Sequence, residues 1–189
     1  MNRSTNYGKF FRHPLTSLIQ NPLLYPVQLY TIDKRLHFKL DREEQKMAHE
    51  DCIFCKIIDG DIPSAKVYED DKVYAFLDIS QVTKGHTLVI PKEHTKNIYE
   101  TPPETAKELF SRIPVIANAI RDAYQPLGIN LLNNNEPVAE QSVFHLHVHL
   151  IPRYGDGDGY TPNWITHTED YTSDDLQAVA KAINEQIKH

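Results

Sequence analysis

Residues 141–152 read Gln-Ser-Val-Phe-His-Leu-His-Val-His-Leu-Ile-Pro and hold three of the chain's ten histidines at alternate positions. The positions between and beside them carry apolar side chains: Phe144, Leu146, Val148 and Leu150. Alternation with a period of two is typical of a β-strand with one buried face. We therefore expect His145, His147 and His149 to share the other face, with neighbours about 6.5–7 Å apart along the strand.

Three interpretations compete for this row of imidazoles. The first is a polar strand face with solvated histidines, which strict threefold alternation makes the weakest. The second is a metal site, because neutral imidazole is a common zinc ligand. The third is catalysis, in which one histidine is a nucleophile or proton carrier and its neighbours orient it. The residues alone leave the last two open.

Charge divides the chain into two parts. Residues 1–46 hold 8 Lys/Arg and 4 Asp/Glu, whereas residues 47–189 hold 12 and 22. The acidic second part argues against nonspecific nucleic-acid binding, which depends on neutralising phosphates with cations. A run of about 18 apolar residues, which a membrane-spanning helix needs, is absent from the sequence. We expect one domain at 47–189 preceded by an extension.

The extension, residues 1–46, has three interpretations. Its acid-poor, Arg-containing start suits a transit peptide, but it lacks the apolar core of a secretory signal. The favoured interpretation is that Met47 is the true start, because residues 42–46 (Arg-Glu-Glu-Gln-Lys) can be encoded by purine-rich codons that suit a bacterial ribosome-binding site. The extension would then be a disordered segment or an artefact of start assignment, dispensable for folding. Without an export signal, we expect a cytoplasmic protein.

Cys52 and Cys55 are the chain's two cysteines and form a Cys-x-x-Cys pair. This spacing alone suits a redox pair, a disulfide or half of a zinc site. A structural disulfide is disfavoured in a chain that is not exported. A tetrahedral zinc site needs two further ligands, for which histidine is the natural supplement.

Strand patterns recur before the histidine stretch, where β-branched and aromatic residues lie between turn residues. Residues 65–78 predict a β-hairpin that turns at 69–72. Further strands are expected at 85–91, which ends at a proline, and at 128–135, which runs into a polar Asn loop. With the histidine strand, these segments predict an antiparallel sheet of about five strands.

Two segments predict longer helices. Thr101 is expected to be an N-cap and Glu104 to complete a capping box. The buried stripe of this helix is expected to be Leu109, Ile113, Ile116, Ile120 and Tyr124. Ser173 starts a C-terminal helix with the apolar stripe Leu176, Val179, Ala180, Ile183 and Ile187. The fold class predicted is α+β, with one long helix packed on the sheet and a C-terminal helix.

The pattern His-φ-His-φ-His-φ-φ, with φ apolar and preceded by Gln-Ser, resembles the signature of the histidine-triad (HIT) family, in particular its Hint branch and bacterial Hit-like proteins. The resemblance covers about Cys52 to Tyr154. It implies a HIT-like fold, a homodimer and a purine nucleotide substrate. It further implies a phosphoramidase-like hydrolase that cleaves nucleoside 5′-monophosphate derivatives, with phosphoramidate or related linkages or as dinucleoside polyphosphates, through a nucleotidyl-histidine.

The resemblance also implies roles for single residues. His147 would attack the α-phosphorus, His149 and His86 would bind phosphoryl oxygens, and Ser142 would relay a proton to the leaving group. The remaining nucleotide-binding positions would be Ile53, Phe54, Ile57, Phe76, Asp78, Ile79, Asn134 and Gln141. Glu140 stands where close relatives have glycine, and its charge is expected to weaken anion binding.

A structural zinc is a further implication, bound by Cys52, Cys55, His94 and His145 as in the related galactose-1-phosphate uridylyltransferases. An alternative function is a zinc-stabilised nucleotide-binding module with little turnover. Another is a hydrolytic zinc centre formed by the three triad histidines. The latter is disfavoured because the sequence offers no nearby carboxylate to support such ligands.

Overall fold

The sheet lies at the centre of the computed structural model, which describes residues 49–188. The predicted extension, residues 1–46, lies outside the described residues. The strands are β1 (Lys66–Glu69), β2 (Val73–Leu77), β3 (Thr87–Pro91), β4 (Gly128–Leu132) and β5 (Val148–Arg153). Their order in the sheet is β1-β2-β3-β5-β4, and every neighbouring pair is antiparallel. The predicted hairpin and five-stranded sheet are therefore confirmed.

The helices that accompany the sheet are α1 (Ile53–Ile58), α2 (Pro103–Tyr124) and α3 (Ser173–Asn184). Short 3-10 helices occupy Pro137–Ala139 and Thr168–Asp170. The α+β class is confirmed. No helix in this part of the chain is long and apolar enough to cross a membrane.

The two faces of the sheet pack against different helices. One core joins the buried side of α2 to alternate residues of β2, β3 and β5, among them Val73, Val89 and Val148. The other core joins α1 to the intervening residues, such as Phe76 and Ile90. Because both faces are covered, β2 and β3 are almost wholly buried and read as continuous apolar runs. This arrangement brings α1 and its cysteines against the face that also carries the histidines.

The start of α2 differs from the prediction. Pro102 is the N-cap, and its ring carries no polar atom that could cap the helix. The Thr101 hydroxyl donates to the carbonyl oxygen of Asn97 at 2.6 Å and not to the helix. The predicted capping box is therefore wrong. Four of the five stripe residues are buried, but Tyr124, the last, is 42% exposed. Its ring lies against Lys84, whose ammonium is 4.6 Å from the ring centroid.

The histidine strand begins later than predicted, at Val148. His145 and His147 lie before the strand, because residues of nearby loops form hydrogen bonds with the backbone of this stretch. Asn133 donates from its side chain to the carbonyl oxygen of His147 at 2.8 Å, and the N–H of Leu146 donates to Thr95 at 2.7 Å. The alternation nevertheless holds from Leu146 to Leu150, which are buried in the α2 core.

Phe144 and the apolar stripe of the C-terminal helix, both expected in the core, are exposed. Phe144 is 42% exposed, and the Lys96 ammonium lies 5.5 Å from its ring centroid. The C-terminal helix begins as predicted, with a capping box between Thr172 and Asp175. Its stripe, however, contributes no buried residue to the core of the described chain.

Candidate active site and adjoining metal centre

His147 is held in one tautomer by the backbone two residues before it. Its Nδ1 lies 2.7 Å from the carbonyl oxygen of His145, so Nδ1–H donates to that oxygen. The lone pair therefore lies on Nε2. The side chain is buried, and the ring of Phe54 meets it edge-on with centroids 5.4 Å apart.

The environment of His147 keeps the imidazole uncharged near neutral pH. Burial lowers the pKa of His147, and the hydrogen bond to the His145 carbonyl and the charge of Asp78 only partly offset it. A neutral ring with one defined lone pair is the form that a nucleophilic or ligating histidine requires. The sequence predicted that a neighbouring group would orient a functional histidine. The His145 carbonyl is a group that orients His147 in this way.

His149, His86 and Asp78 form a cluster beside His147. The rings of His147 and His149 have centroids 5.0 Å apart. His86 Nε2 and His149 Nδ1 lie 2.9 Å apart and share a hydrogen bond. The carboxylate of Asp78 lies 3.7 Å from His86 Nε2 and 3.9 Å from His149 Nδ1.

The histidines of this cluster are also uncharged. Burial, reinforced by His147 and His86, lowers the pKa of His149 to about 4, although Asp78 opposes the shift. Burial likewise lowers the pKa of His86, against the opposing charge of Asp78. Each neutral ring keeps one N–H, and one of the two is used in the bond between the rings, so the pair offers one N–H to an anion.

Gln81 holds the loop that carries Asp78 and His86. Its Nε2 donates to the carbonyl oxygens of Asp78 and His86 at 2.6 and 2.7 Å. Its Oε1 accepts from the N–H groups of Gly85 and His86 at 2.9 and 3.1 Å. Neither Gln81 nor Asn133, whose side chain donates to the His147 carbonyl oxygen, was predicted from the sequence. A polar residue in a loop carries no pattern that would single out either one.

Gln141 supports the loop before the triad rather than offering its amide to a ligand. The side chain is buried, and its Oε1 accepts from the N–H of Glu136 at 2.9 Å. Its Nε2 donates to the carbonyl oxygens of Lys96 and Val143 at 2.7 and 3.1 Å. Both amide hydrogens are engaged, so the expectation that this side chain binds phosphate is corrected: it positions the loop.

The other predicted residues near this loop are exposed or partly buried. Ser142 is exposed. Asn134 is partly buried and donates weakly to the carbonyl oxygen of Glu140 at 3.5 Å. Glu140 has φ +66°, a left-handed conformation that favours glycine. A negatively charged side chain thus occupies a strained position two residues before Ser142.

The predicted base-binding residues divide by burial. Phe54, Ile57 and Phe76 are buried together, with the rings of Phe54 and Phe76 5.5 Å apart at their centroids. Ile53 is about half exposed, and Ile79 is fully exposed. Phe54 links this group to the triad because it also contacts the rings of His145 and His147.

Cys52, Cys55, His94 and His145 converge beside the triad. Cys52 Sγ lies 3.4 Å from His145 Nδ1, and Cys55 Sγ lies 3.3 Å from His94 Nδ1 and 3.6 Å from His145 Nδ1. All four donor atoms lie within 4.8 Å of one another. Sulfur and nitrogen ligands of a tetrahedral zinc ion are about 3.5 Å apart, given ordinary Zn–S and Zn–N distances. The four residues therefore fit a closed zinc site.

The protonation states around this centre also fit a cation. His145 Nε2–H donates to the carbonyl oxygen of Pro91 at 2.8 Å, which leaves the Nδ1 lone pair facing the cysteines. Backbone contacts of this kind orient metal-bound histidines. Burial and the neighbouring Cys52 raise the pKa of the Cys55 thiol to about 12 without a metal. A cation would reverse that shift, because it stabilises the thiolate.

The three triad histidines do not share one centre. His145 faces the cysteines, while His149 faces His86 and Asp78. The two groups of described residues that could hold a metal ion have no member in common. A hydrolytic zinc site formed by the three histidines is therefore incompatible with this geometry.

Comparison with known proteins agrees with this arrangement. The family model described as HIT domain matches residues 59–156. The chain is 62% identical over 138 residues to "Protein hit" of Bacillus subtilis, covering 73% of this chain and 95% of that protein. A crystal structure of a HIT family member from Bacillus subtilis superposes with a TM-score of 0.72 at 60% identity, covering 74% of this chain and 99% of that one.

Two more distant relatives carry functional names. An adenosine 5′-monophosphoramidase of Schizosaccharomyces pombe is 36% identical over 137 residues, covering 72% of this chain and 98% of that protein. A zinc-bound histidine triad family protein from Mycobacterium smegmatis is similar in structure, with a TM-score of 0.57 at 34% identity and coverage of 74% and 99%. With the triad, its supporting loops and the sheet in place, this chain belongs to the HIT family.

Proposed function

We propose that this protein hydrolyses purine nucleoside 5′-monophosphate derivatives, such as phosphoramidates, through a covalent nucleotidyl-His147. The observation that carries the proposal is the 2.7 Å hydrogen bond from His147 Nδ1 to the His145 carbonyl in a buried setting. That bond makes Nε2 the reactive atom and keeps its lone pair available. The monophosphoramidase among the relatives supports the reaction class.

In the first step, His147 Nε2 attacks the α-phosphorus. The Nε2–phosphorus bond forms while the bond from phosphorus to the leaving nitrogen or oxygen breaks. The leaving atom takes a proton, which the exposed Ser142 hydroxyl passes on from water. The ring of His147 becomes positively charged, and its Nδ1–H bond to the His145 carbonyl then strengthens because the donor is charged.

In the second step, water attacks the same phosphorus and the bond to Nε2 breaks. The nucleoside monophosphate leaves, the proton of the attacking water returns to solvent, and His147 regains its neutral state. Dividing one displacement into two lowers the barrier that each must cross. The chemistry requires His147 to be unprotonated at the start, which agrees with the lowered pKa that burial produces.

The surrounding residues bind the nucleotide in this proposal. His149 and His86 are both uncharged, and the one N–H that their mutual bond leaves free is offered to the phosphoryl oxygens as negative charge develops. Asp78 accepts from the ribose hydroxyls. The base packs against apolar side chains near Phe54 and Phe76. Gln141 contributes by fixing the loop that carries Ser142.

We further propose one structural zinc ion, bound by the four donors described above. The donor geometry and the zinc-bound relative support it. With four protein ligands the ion has no open position for substrate, so its contribution is stability. A cytoplasmic homodimer completes the proposal, and light scattering coupled to gel filtration tests the dimer.

The second candidate is a nucleotide-binding module with little turnover, which the exposed and negatively charged Glu140 favours. An assay with adenosine 5′-monophosphoramidate, run with and without a chelator and beside an AMP-binding titration, separates the two. Turnover that persists in chelator supports the proposed hydrolase. AMP binding without turnover supports the module. Activity that requires added metal while the fold is intact contradicts the proposed metal-free chemistry.

A further inference from the structure

A second set of atoms that could ligate a metal lies beside His147. His86 Nε2 and His149 Nδ1 are 2.9 Å apart, and the nearer oxygen of Asp78, Oδ2, lies 3.7 and 3.9 Å from them. Ligands of a tetrahedral ion at 2.0–2.2 Å from the metal are separated by about 3.3–3.5 Å. The observed separations lie on both sides of this value, so small rotations of three side chains would complete the geometry.

The chemistry of this set suits a transition metal. Two imidazoles and one carboxylate are typical ligands of zinc, cobalt and nickel, whereas Mg²⁺ and Ca²⁺ prefer oxygen alone. Three protein ligands leave at least one position for water. The set shares no residue with the cysteine-containing centre, so the two ions would bind independently.

The atoms that would bind the ion are already held in place. Asp78 Oδ1 accepts from the N–H of Ser80 at 2.7 Å, which leaves Oδ2 directed to the two histidines. Gln81 fixes the backbone on both sides of the loop. A site whose ligands are oriented before binding loses less entropy when the ion arrives.

We propose that Asp78, His86 and His149 form a binding site for a Zn²⁺-class divalent ion that competes with the nucleotide. The competition rests on the proposed function, in which the same Asp78 oxygen binds the ribose and the same imidazoles bind phosphate. An ion needs the lone pairs of His86 Nε2 and His149 Nδ1, so the proton of their hydrogen bond must move to the other nitrogen of its ring. The ion therefore inhibits hydrolysis at the active site.

Equilibrium titration of the tag-free full chain with Co²⁺ tests the site, after one equivalent of Zn²⁺ has been added for the cysteine centre. Co²⁺ bound by nitrogen and oxygen gives weak visible bands without the intense near-ultraviolet charge-transfer band of thiolate ligation. The spectrum therefore distinguishes the two centres. The matched variants are Asp78→Asn, which removes the ligand charge, and His167→Asn, which alters an exposed His–Asp pair elsewhere (His167 Nδ1 to Asp170 Oδ2, 3.0 Å).

We expect a second, thiolate-free Co²⁺ site whose affinity falls at least about tenfold in Asp78→Asn and is unchanged in His167→Asn. Saturating AMP should weaken Co²⁺ binding, and Co²⁺ should weaken AMP binding by the same factor. No thiolate-free site, equal affinity in Asp78→Asn, or no effect of AMP would overturn the proposal. Phosphoramidase activity is measured in parallel in chelator, so loss of the metal site and loss of the proposed function give different results.

Discussion

His147 Nδ1 and the carbonyl oxygen of His145 are 2.7 Å apart, and this bond joins the two centres of the protein. The side chain of His145 faces Cys52 through Nδ1 and bonds to Pro91 through Nε2. Its carbonyl orients His147, the proposed nucleophile. The residue that would hold zinc with its ring therefore fixes, with its backbone, the tautomer of the histidine that would attack phosphorus.

Replacing His147 with Asn should abolish turnover while AMP binding survives. Asn keeps a polar side chain but cannot form the covalent intermediate, so kcat for adenosine 5′-monophosphoramidate should fall at least about a thousandfold. Steady-state kinetics and an AMP-binding titration measure the two effects. His167→Asn is the matched control, because His167 is exposed and its ring pairs with Asp170 in its own helical turn. Activity of the His147 variant within about tenfold of the parent would refute its role.

The Cys52→Ser/Cys55→Ser variant should lose one zinc ion per chain and unfold at a lower temperature. Removing both thiolates leaves His94 and His145 without the soft ligands that select zinc. Elemental analysis and calorimetry measure the two losses. The parent should also release its zinc in acid, because the ligands must be deprotonated to bind. Zinc-free parent protein, purified without chelator and with both thiols titratable, would rule the site out. Zinc retained by the double variant would indicate a histidine-only centre.

We expect Asp70 to contribute to the fall in the free energy of unfolding as the pH becomes acidic. Partial burial would raise the pKa of Asp70, but bonds from the N–H groups of Lys72 and Val73 and from Arg112 outweigh it and hold that pKa well below its usual range. A lowered folded-state pKa adds stability above the unfolded-state value of about 3.9, and this stability is lost as pH falls below it. Asp70→Asn should lower the unfolding free energy at neutral pH by about 1–3 kcal/mol.

Urea unfolding between about pH 7 and pH 3 measures this difference. The parent should lose stability as the pH falls, and Asp70→Asn should lose less over the same range. Asp71→Asn is the control, because Asp71 is exposed and its nearest cation, Lys72, is 3.9 Å away. Equal pH slopes for the parent and Asp70→Asn would show that the Asp70 network contributes nothing to acid sensitivity.

Glu140→Gly should favour substrates with anionic leaving groups. Removing the carboxylate two residues before Ser142 reduces repulsion of an anionic leaving group, and Gly also relieves the left-handed backbone at φ +66°. We expect kcat/KM for a dinucleoside polyphosphate to rise about 2–10-fold at low ionic strength, with less change for an uncharged leaving group. Glu140→Gln separates charge from backbone strain. A gain in Gly that is absent in Gln would assign the effect to the backbone.

Much of the fold could be predicted because its signals are local. The continuous apolar runs of β2 and β3 and the 3.6-residue stripe of α2 each follow from burial of one element. The Thr101 capping box failed because a loop residue, Asn97, takes that hydroxyl instead, and local spacing cannot reveal a competing acceptor. The late start of β5 has the same cause, since the Asn133 side chain and Thr95 take the backbone bonds of the histidine stretch.

The residues of the candidate site likewise fall into those with a local sequence pattern and those without one. The triad and the Cys-x-x-Cys pair are visible as patterns, and resemblance to the HIT family supplied His94 and Asp78. Gln81 was missed, and Gln141 was assigned to phosphate rather than to its loop, because both act through backbone contacts distant in sequence. Such roles depend on which loops the fold brings together, and no residue spacing within a single sequence reveals these contacts.

The most direct test of the central claim is to look for the covalent intermediate. Protein mixed with excess adenosine 5′-monophosphoramidate is quenched in base, in which a phosphorus–nitrogen bond to imidazole survives, and is analysed by intact and peptide mass spectrometry. We predict one adenylyl group per active chain, located on His147 and absent from His147→Asn. Turnover with no adduct under any quench time, or an adduct located on His149 or another residue, would contradict the account.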